Sequence, residues 1–152
     1  MRALIQRVTG SKLYIDNKVY SQISAGYVIL LGVTRNDHEK TASLLAEKTV
    51  NLRIMSDNED KMNLSILDKN GEILVVSQFT LYADLTAGRR PSFLKSAEPE
   101  IAEKLYSLYI DELRHFGVKK VATGKFGAYM KVEIHNDGPV TILLDSDEFK
   151  KN

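Results

Sequence analysis

Residues Tyr27-Val28-Ile29-Leu30-Leu31-Gly32-Val33 constrain this chain more than any other stretch. The run is apolar at every position, so a strand built from it has no face to offer water. It is far too short for a membrane span. It therefore predicts a central strand with apolar neighbours on both sides, and the rest of the chain must supply those layers.

Strand signals come first. Ala3 to Val8 is apolar from the start, and Lys12–Ile15 and Val19–Ile23 flank Asp16-Asn17-Lys18, a tight-turn sequence. The period then changes. Ala42, Leu45, Ala46, Thr49 and Val50 share one face of a helix over Asp37 to Leu52, which Asp37 is placed to cap. Asn70-Gly71 turns the chain into a strand from Glu72 to Phe79. A second helix begins at Pro99, carries an apolar stripe of Ile101, Leu105, Leu108, Tyr109 and Leu113, and stops at Gly117. Two strands, Met130–His135 and Val140–Leu144, follow. This order does not alternate as a doubly wound fold would, so the expectation is α+β. The sheet is expected to be curved or closed and barrel-like, with two long helices packed outside it. No repeat or linker divides the chain, which predicts one domain over residues 1–145 and a polar, flexible tail over 146–152.

Several chemistries drop out early. The absence of cysteine removes disulfides, thiol nucleophiles and thiolate metal sites, and fits a reducing compartment. His38, His115 and His135 show no ligand spacing, and the acidic loop of Asp57, Glu59 and Asp60 lacks the register of a calcium loop, so no metal is expected. No cofactor is expected either: Gly124-Lys125 lacks the rest of a phosphate loop, and no dinucleotide fingerprint follows a strand. A G-x-S-x-G elbow is missing. Charge interrupts Met1 to Arg7 too early for a signal peptide, so no membrane and a cytoplasmic location are expected. The net charge of +1 neither demands nor forbids nucleic acid.

Two segments remain. Ser77-Gln78-Phe79-Thr80-Leu81 ends an apolar strand with hydroxyl, amide and aromatic groups. By chemistry alone it reads as a strand that surfaces. Asn136-Asp137-Gly138-Pro139-Val140-Thr141 separates two strand runs. It reads as an ordinary turn, or as a rigid loop whose carbonyls face a ligand, because Pro139 removes a donor and restricts Gly138.

Together these segments resemble the two signature motifs of the D-aminoacyl-tRNA deacylase family, Ser-Gln-Phe-Thr-Leu and Asn-x-Gly-Pro-Val-Thr. Ala3–Val8, Leu30–Val33, Lys61–Asn63, Arg90–Phe93 and Gly124–Met130 resemble the family as well. The resemblance implies a homodimer with active sites at the subunit interface, acting on the 3′ end of aminoacyl-tRNA. One subunit would supply Ser77 to Leu81 and the other a cis Gly138-Pro139 loop.

The reaction so implied is hydrolysis of the D-aminoacyl ester, as chiral proofreading. The Gly138-Pro139 carbonyls would receive the substrate's ammonium, and an L-side chain would collide with the loop. Glycine has no side chain to reject, so glycyl-tRNA is expected to be cleaved too. Backbone N–H groups of Phe79 and Thr80 are the candidate oxyanion donors. Gln78 would orient the substrate, Phe79 would hold the terminal adenosine, and Ser77 would support the site by hydrogen bonding.

Thr80 is an obvious nucleophile by type, but no base lies within Gln78 to Leu81. Attack by water, assisted by the terminal ribose 2′-hydroxyl, is the favoured route. Met130 reads equally as a pocket border and as core packing. Arg7 reads as an interface pair, as a brace for the Gly138-Pro139 loop, or as a solvated strand end. Two alternatives stay open: a binding module that kept the pocket, and an esterase for small D-amino acid esters.

Overall fold

The computed structural model describes residues 1–149. The described chain is α+β, with a nearly closed sheet and two helices outside it. The central element is β3 (Gly26–Gly32), formed by the apolar run. It lies antiparallel to β1 (Arg2–Ile15) and parallel to β6 (Glu72–Ser77). The hairpin partner β2 (Lys18–Ile23) flanks β1 on one side, and β7 (Val121–Thr123) runs parallel to β6 on the other. The last strand, β8 (Lys131–Asp145), is antiparallel to β1 along most of its length. The outer edges nearly meet, and Ser21 Oγ on β2 donates to Thr123 O on β7 at 2.9 Å.

The two faces of β3 divide the core. Tyr27, Ile29 and Leu31 point to the helices and join Ala3, Ile5, Ile73 and Val75. Val28 points inward and packs with Val8, Leu13, Leu74 and Val76, filling the barrel interior. The strict alternation of a strand thus turns one unbroken apolar run into two cores.

Helix α1 (Glu39–Val50) packs on α2 (Pro99–His115), and Thr49 Oγ1 and Tyr109 Oη share a buried hydrogen bond of 2.7 Å. No helix among the described residues is long and apolar enough to cross a membrane.

Five local expectations need correction. Asp37 does not cap α1. Its carboxylate accepts from the Met1 ammonium at 2.6 Å and from Thr34 N–H at 2.8 Å, so His38 caps instead, with Nδ1 accepting from Thr41 N–H at 3.3 Å. A paired ammonium outcompetes a neutral amide for the same carboxylate.

The strands expected at Ala3–Val8 and Lys12–Ile15 are one strand, because β8 pairs with both halves across irregularities near Val8 and Gly10. The two terminal strands are likewise one, and the strand from Glu72 ends at Ser77 rather than Phe79. The expected tail begins with a docked 3₁₀ turn, Ser146–Phe149, where Ser146 is buried and accepts from the Met1 ammonium at 2.6 Å. Its residues 150–152 lie outside the described residues. The small hairpin of β4 (Met55–Ser56) and β5 (Met62–Leu64) was not expected; it is too short to leave a period in the sequence.

Candidate active site

The first motif sits where β6 leaves the sheet. Ser77 is the last residue paired with β3, opposite Leu31, and Gln78 N–H donates to Leu31 O at 2.8 Å. The chain then folds into a 3₁₀ turn over Phe79–Tyr82. Gly32 allows this fold-back: a Cβ there would lie 3.1 Å from Gln78 O and 3.2 Å from the Tyr82 ring.

Arg2 holds the turn from the other side. Its Nη1 donates to Leu81 O at 2.9 Å, its Nε to Asp145 at 2.8 Å, and its guanidinium lies 4.6 Å from the Tyr82 ring centre. Sequence reasoning gave Arg2 and Gly32 no role. Neither carries a local signal, since each acts on a turn some fifty or eighty residues away in sequence.

Phe79 and Thr80 open the turn, so their N–H groups have no carbonyl to meet within it; the first bond of the turn is Leu81 N–H to Gln78 O at 3.3 Å. Both residues are exposed. Thr80 Oγ1 accepts from the Gln78 amide. Among the described residues no imidazole, amine or carboxylate hydrogen-bonds to Thr80, so its hydroxyl has no base beside it.

Beside the turn opens a cavity of about 840 Å³. Ser77, Gln78 and Phe79 line one wall, Ser92 and Phe93 a second, and Phe126 to Met130 a third. The lining is largely aromatic and aliphatic, as suits a nucleoside-sized ligand held by a few polar groups. Phe79 and Phe93 meet edge-to-face with ring centres 4.9 Å apart. Tyr106 closes the floor, with its hydroxyl donating to Val75 O at 2.9 Å and its phenol pushed up by burial.

Met130 borders this cavity, and its sulfur lies 2.6 Å from where a Cβ on Gly124 would stand. The thioether therefore occupies the space that a side chain at 124 would need.

The second motif lies elsewhere on the chain. Along β8, Asn136 pairs with Val8 and Thr141 with Gln6, so four residues, 137–140, stand opposite Arg7 alone. They bulge outward, and Asp137, Gly138 and Pro139 are exposed. The Gly138-Pro139 peptide is cis.

Asn136 pinches the base of the bulge. Its Oδ1 accepts from Val140 N–H at 2.9 Å and its Nδ2 donates to Val140 O at 3.2 Å. Arg7, only 9% exposed, reaches beneath: Nε donates to Asp137 O at 3.1 Å and Nη1 to Ile54 O at 2.9 Å. Its burial sets aside the reading of a solvated strand end, and within one chain its bonds reach the residue that precedes the Gly138-Pro139 peptide. Ile54 and Ser56 were not foreseen as its partners; the link runs through the small β4–β5 hairpin.

Within one chain, then, the expected residues form two groups. Ser77, Gln78, Phe79 and Met130 share the cavity, with Thr80 next along the turn. Arg7, Gly138 and Pro139 form the second group and do not line that cavity. His38, His115 and His135 fall on separate elements, and no three metal-binding side chains cluster among the described residues.

Comparison with known proteins places this architecture. The family model for D-Tyr-tRNA(Tyr) deacylase matches residues 4–145. A D-aminoacyl-tRNA deacylase of Fervidobacterium nodosum is 56% identical over 146 residues, covering 96% of this chain and 97% of that protein. One from Clostridioides difficile is 51% identical over 148 residues, covering 97% and 99%.

Among solved structures, a c-Myc DNA unwinding element binding protein superimposes with a TM-score of 0.90 at 39% identity, covering 95% of this chain and 98% of that one. A probable eukaryotic D-amino acid tRNA deacylase shares the fold, with a TM-score of 0.81 at 16% identity over 94% and 97% of the two chains. A family match spanning both motifs, and relatives more than half identical from end to end, lead to one conclusion: the chain belongs to the D-Tyr-tRNA(Tyr) deacylase family.

Proposed function

We propose that this protein hydrolyses the ester bond of D-aminoacyl-tRNA, releasing free tRNA and the amino acid. The observation that carries the reading is the turn at Phe79 and Thr80. Two backbone N–H groups without partners in the turn stand at the mouth of an aromatic cavity. Such donors suit a carbonyl oxygen that gains negative charge, and each is worth about 100- to 1,000-fold in rate in enzymes of this kind.

Water attacks the ester carbon, the oxyanion is held by these donors, and the bond to the ribose oxygen breaks. The ribose 2′-hydroxyl assists the proton transfer, because Thr80 has no base of its own. Phe79 and Phe93 offer faces and edges for the terminal adenosine. Gln78 orients the substrate, Ser77 supports the wall, and Met130 borders the slot.

Chirality is set by the exposed Gly138-Pro139 bulge. It does not line its own chain's cavity, so the site is completed by the bulge of a second copy in a homodimer. Its backbone receives the substrate's ammonium, and an L-side chain collides with it. Glycyl-tRNA, with nothing to reject, is cleaved as well. Arg7 and Asn136 keep the bulge in place from behind. The residues that act on the substrate all lie within 1–145. An activity on aminoacyl-tRNA belongs where translation occurs, in the cytoplasm.

Purified protein should rapidly deacylate D-tyrosyl-tRNA and leave L-tyrosyl-tRNA at the buffer rate, and it should sediment as a dimer. Equal loss of both esters would end the chiral reading. Loss of neither, by a folded protein that still binds tRNA, would favour a binding module. The DNA-element-binding description of the 39%-identical structure gives that second reading its support. A D-amino acid methyl ester cleaved as fast as the tRNA ester would point instead to a small-molecule esterase.

Thr80→Ala separates the two mechanisms. With water as nucleophile the variant keeps activity within roughly tenfold of the parent, since the backbone N–H remains in place. Complete loss of turnover, with folding and tRNA binding intact, would make Thr80 the nucleophile.

A further inference from the structure

One side of the cavity mouth is built by residues 84–97, and its charge is one-sided. Asp84 and Ser92 exchange backbone hydrogen bonds of 2.8 and 2.9 Å, which ties residues 85–91 into an exposed loop. The returning leg is fixed to the body. Thr34 Oγ1 donates to Lys95 O at 2.6 Å, Ala97 N–H to Val33 O at 3.0 Å, and Ser96 Oγ to Phe79 O at 3.1 Å. The last bond joins the leg to the turn that carries the oxyanion donors.

Within this segment Asp84 is the only acid. Its carboxylate is already engaged by Lys95 at 2.8 Å and by the hydroxyl and N–H of Thr86 at 2.7 and 2.9 Å, which together hold it well below the usual carboxylate range. Arg89 and Arg90 are exposed, and among the described residues neither takes part in an ion pair. Ser92 lines the cavity, and the three residues from Arg89 to Ser92 span at most about 11 Å of backbone, so both arginine side chains start within reach of the mouth.

Of the other cations near the mouth, Lys125 beside Phe126 is exposed and takes part in no ion pair among the described residues, while two are engaged. Arg35 pairs with Glu98 at 3.5 Å, and Lys131 lies 5.9 Å from the Tyr14 ring. In a chain of net charge +1, two unneutralised guanidiniums beside the cavity are a local excess.

The geometry points to Arg89 and Arg90 as the site that holds the phosphates of the substrate's single-stranded RNA end, just outside the cavity. This rests on the deacylase reading and adds to it where the RNA leaves the pocket. With the terminal adenosine at Phe79 and Phe93, the preceding strand passes over Ser92 toward the loop tip. A planar guanidinium matches a phosphate with two parallel hydrogen bonds. The contact is far from the scissile ester and equal in ground and transition states, so it acts on KM and not on kcat.

The test is the double variant Arg89→Ala/Arg90→Ala, assayed on D-tyrosyl-tRNA and on D-tyrosyl-adenosine, an ester of the same nucleoside without phosphates. On tRNA, kcat/KM is expected to fall tenfold or more through KM, with kcat unchanged. Two lost phosphate contacts on a single strand also make the log–log salt dependence shallower by about 1.4. Turnover of D-tyrosyl-adenosine should stay at the parent's value. Equal slowing of both esters, or no change on tRNA, would overturn the assignment while leaving the deacylase reading standing.

If the parent protein cleaves neither ester, the deacylase reading itself has failed. Binding then decides the assignment, by anisotropy of a fluorescent RNA oligonucleotide matching the tRNA 3′ end. Weaker binding by the variant with the shallower salt slope supports it, and equal binding overturns it.

Discussion

Gly138→Ala is expected to slow hydrolysis of D-tyrosyl-tRNA about 100-fold or more while leaving a folded protein. The residue adopts φ +136°, a backbone region that L-residues rarely enter. A Cβ added there would stand 2.7 Å from Val140 Cγ2 and 2.9 Å from Val140 N, with Arg7 Nη2 at 3.4 Å. The nitrogen is backbone and is itself bonded to Asn136 at 2.9 Å, so it cannot step aside alone. The whole bulge of 137–140 must shift.

The bulge is exposed and bordered by the long β1–β8 ladder, so the shift stays local and the core is untouched. A displacement of about 1 Å in a group that positions substrate costs on the order of 100-fold in rate. The measurement is single-turnover deacylation of the D-ester and L-ester, with circular dichroism to confirm the fold. Activity on the D-ester within threefold of the parent would remove the bulge from the substrate's environment, and chiral selection would have to be sought on the cavity wall.

The fold was legible wherever a local pattern decides the structure. The apolar run of Tyr27–Val33 became the central strand. Asp16 and Asn17 turn the hairpin with φ of 50° and 60°, as a tight connection between twisted strands requires. Pro99 opens α2 at its first turn. What failed were features settled by distant partners. Asp37 looked like a cap until the Met1 ammonium claimed it, and only that same ammonium shows why Ser146 is docked. The continuity of β1 and of β8 comes from their mutual pairing, which no window within either strand reveals.

The site divides in the same way. Both motifs stood out in the sequence, and the one-chain structure brings Ser77, Gln78, Phe79 and Met130 to one cavity. The supports behind them were invisible. Arg2 under the 3₁₀ turn and Ile54 under Arg7 act across long stretches of chain, and their residue types are common at strand ends and in cores. Composition was equally silent on RNA. Arg89 and Arg90 can be read in the sequence as phosphate contacts or as scattered surface charge, and what the structure adds is that the nearby Asp84 is engaged by Lys95.

Gly26→Ala is expected to destabilise the fold by roughly 3 kcal/mol or more, at the upper end of overpacking penalties. A Cβ at this position would lie 1.8 Å from Glu72 O and 2.7 Å from Glu72 N, both backbone atoms of the neighbouring strand. Gly26 is opposite Glu72 at the first rung of the parallel β3–β6 ladder, and Glu72 N–H donates to Ala25 O at 3.0 Å. Relief therefore requires the two strands to part where they are joined most closely.

In a chain of this size such a loss lowers the thermal midpoint by about 6 to 12 °C. The ladder that begins at Gly26 ends at Leu31 and Ser77, so the same strand separation loosens the anchor of the 3₁₀ turn at Phe79–Tyr82. Thermal unfolding at fixed protein concentration tests the first claim, because the midpoint of any protein that self-associates depends on concentration. Deacylation of D-tyrosyl-tRNA well below the new midpoint tests the second. A midpoint within about 2 °C of the parent would mean the strands part there at little cost, below what a 1 kcal/mol penalty would shift. A lowered midpoint with unchanged turnover would show that Leu31 and the 3₁₀ turn hold Ser77 without help from the far end of the ladder.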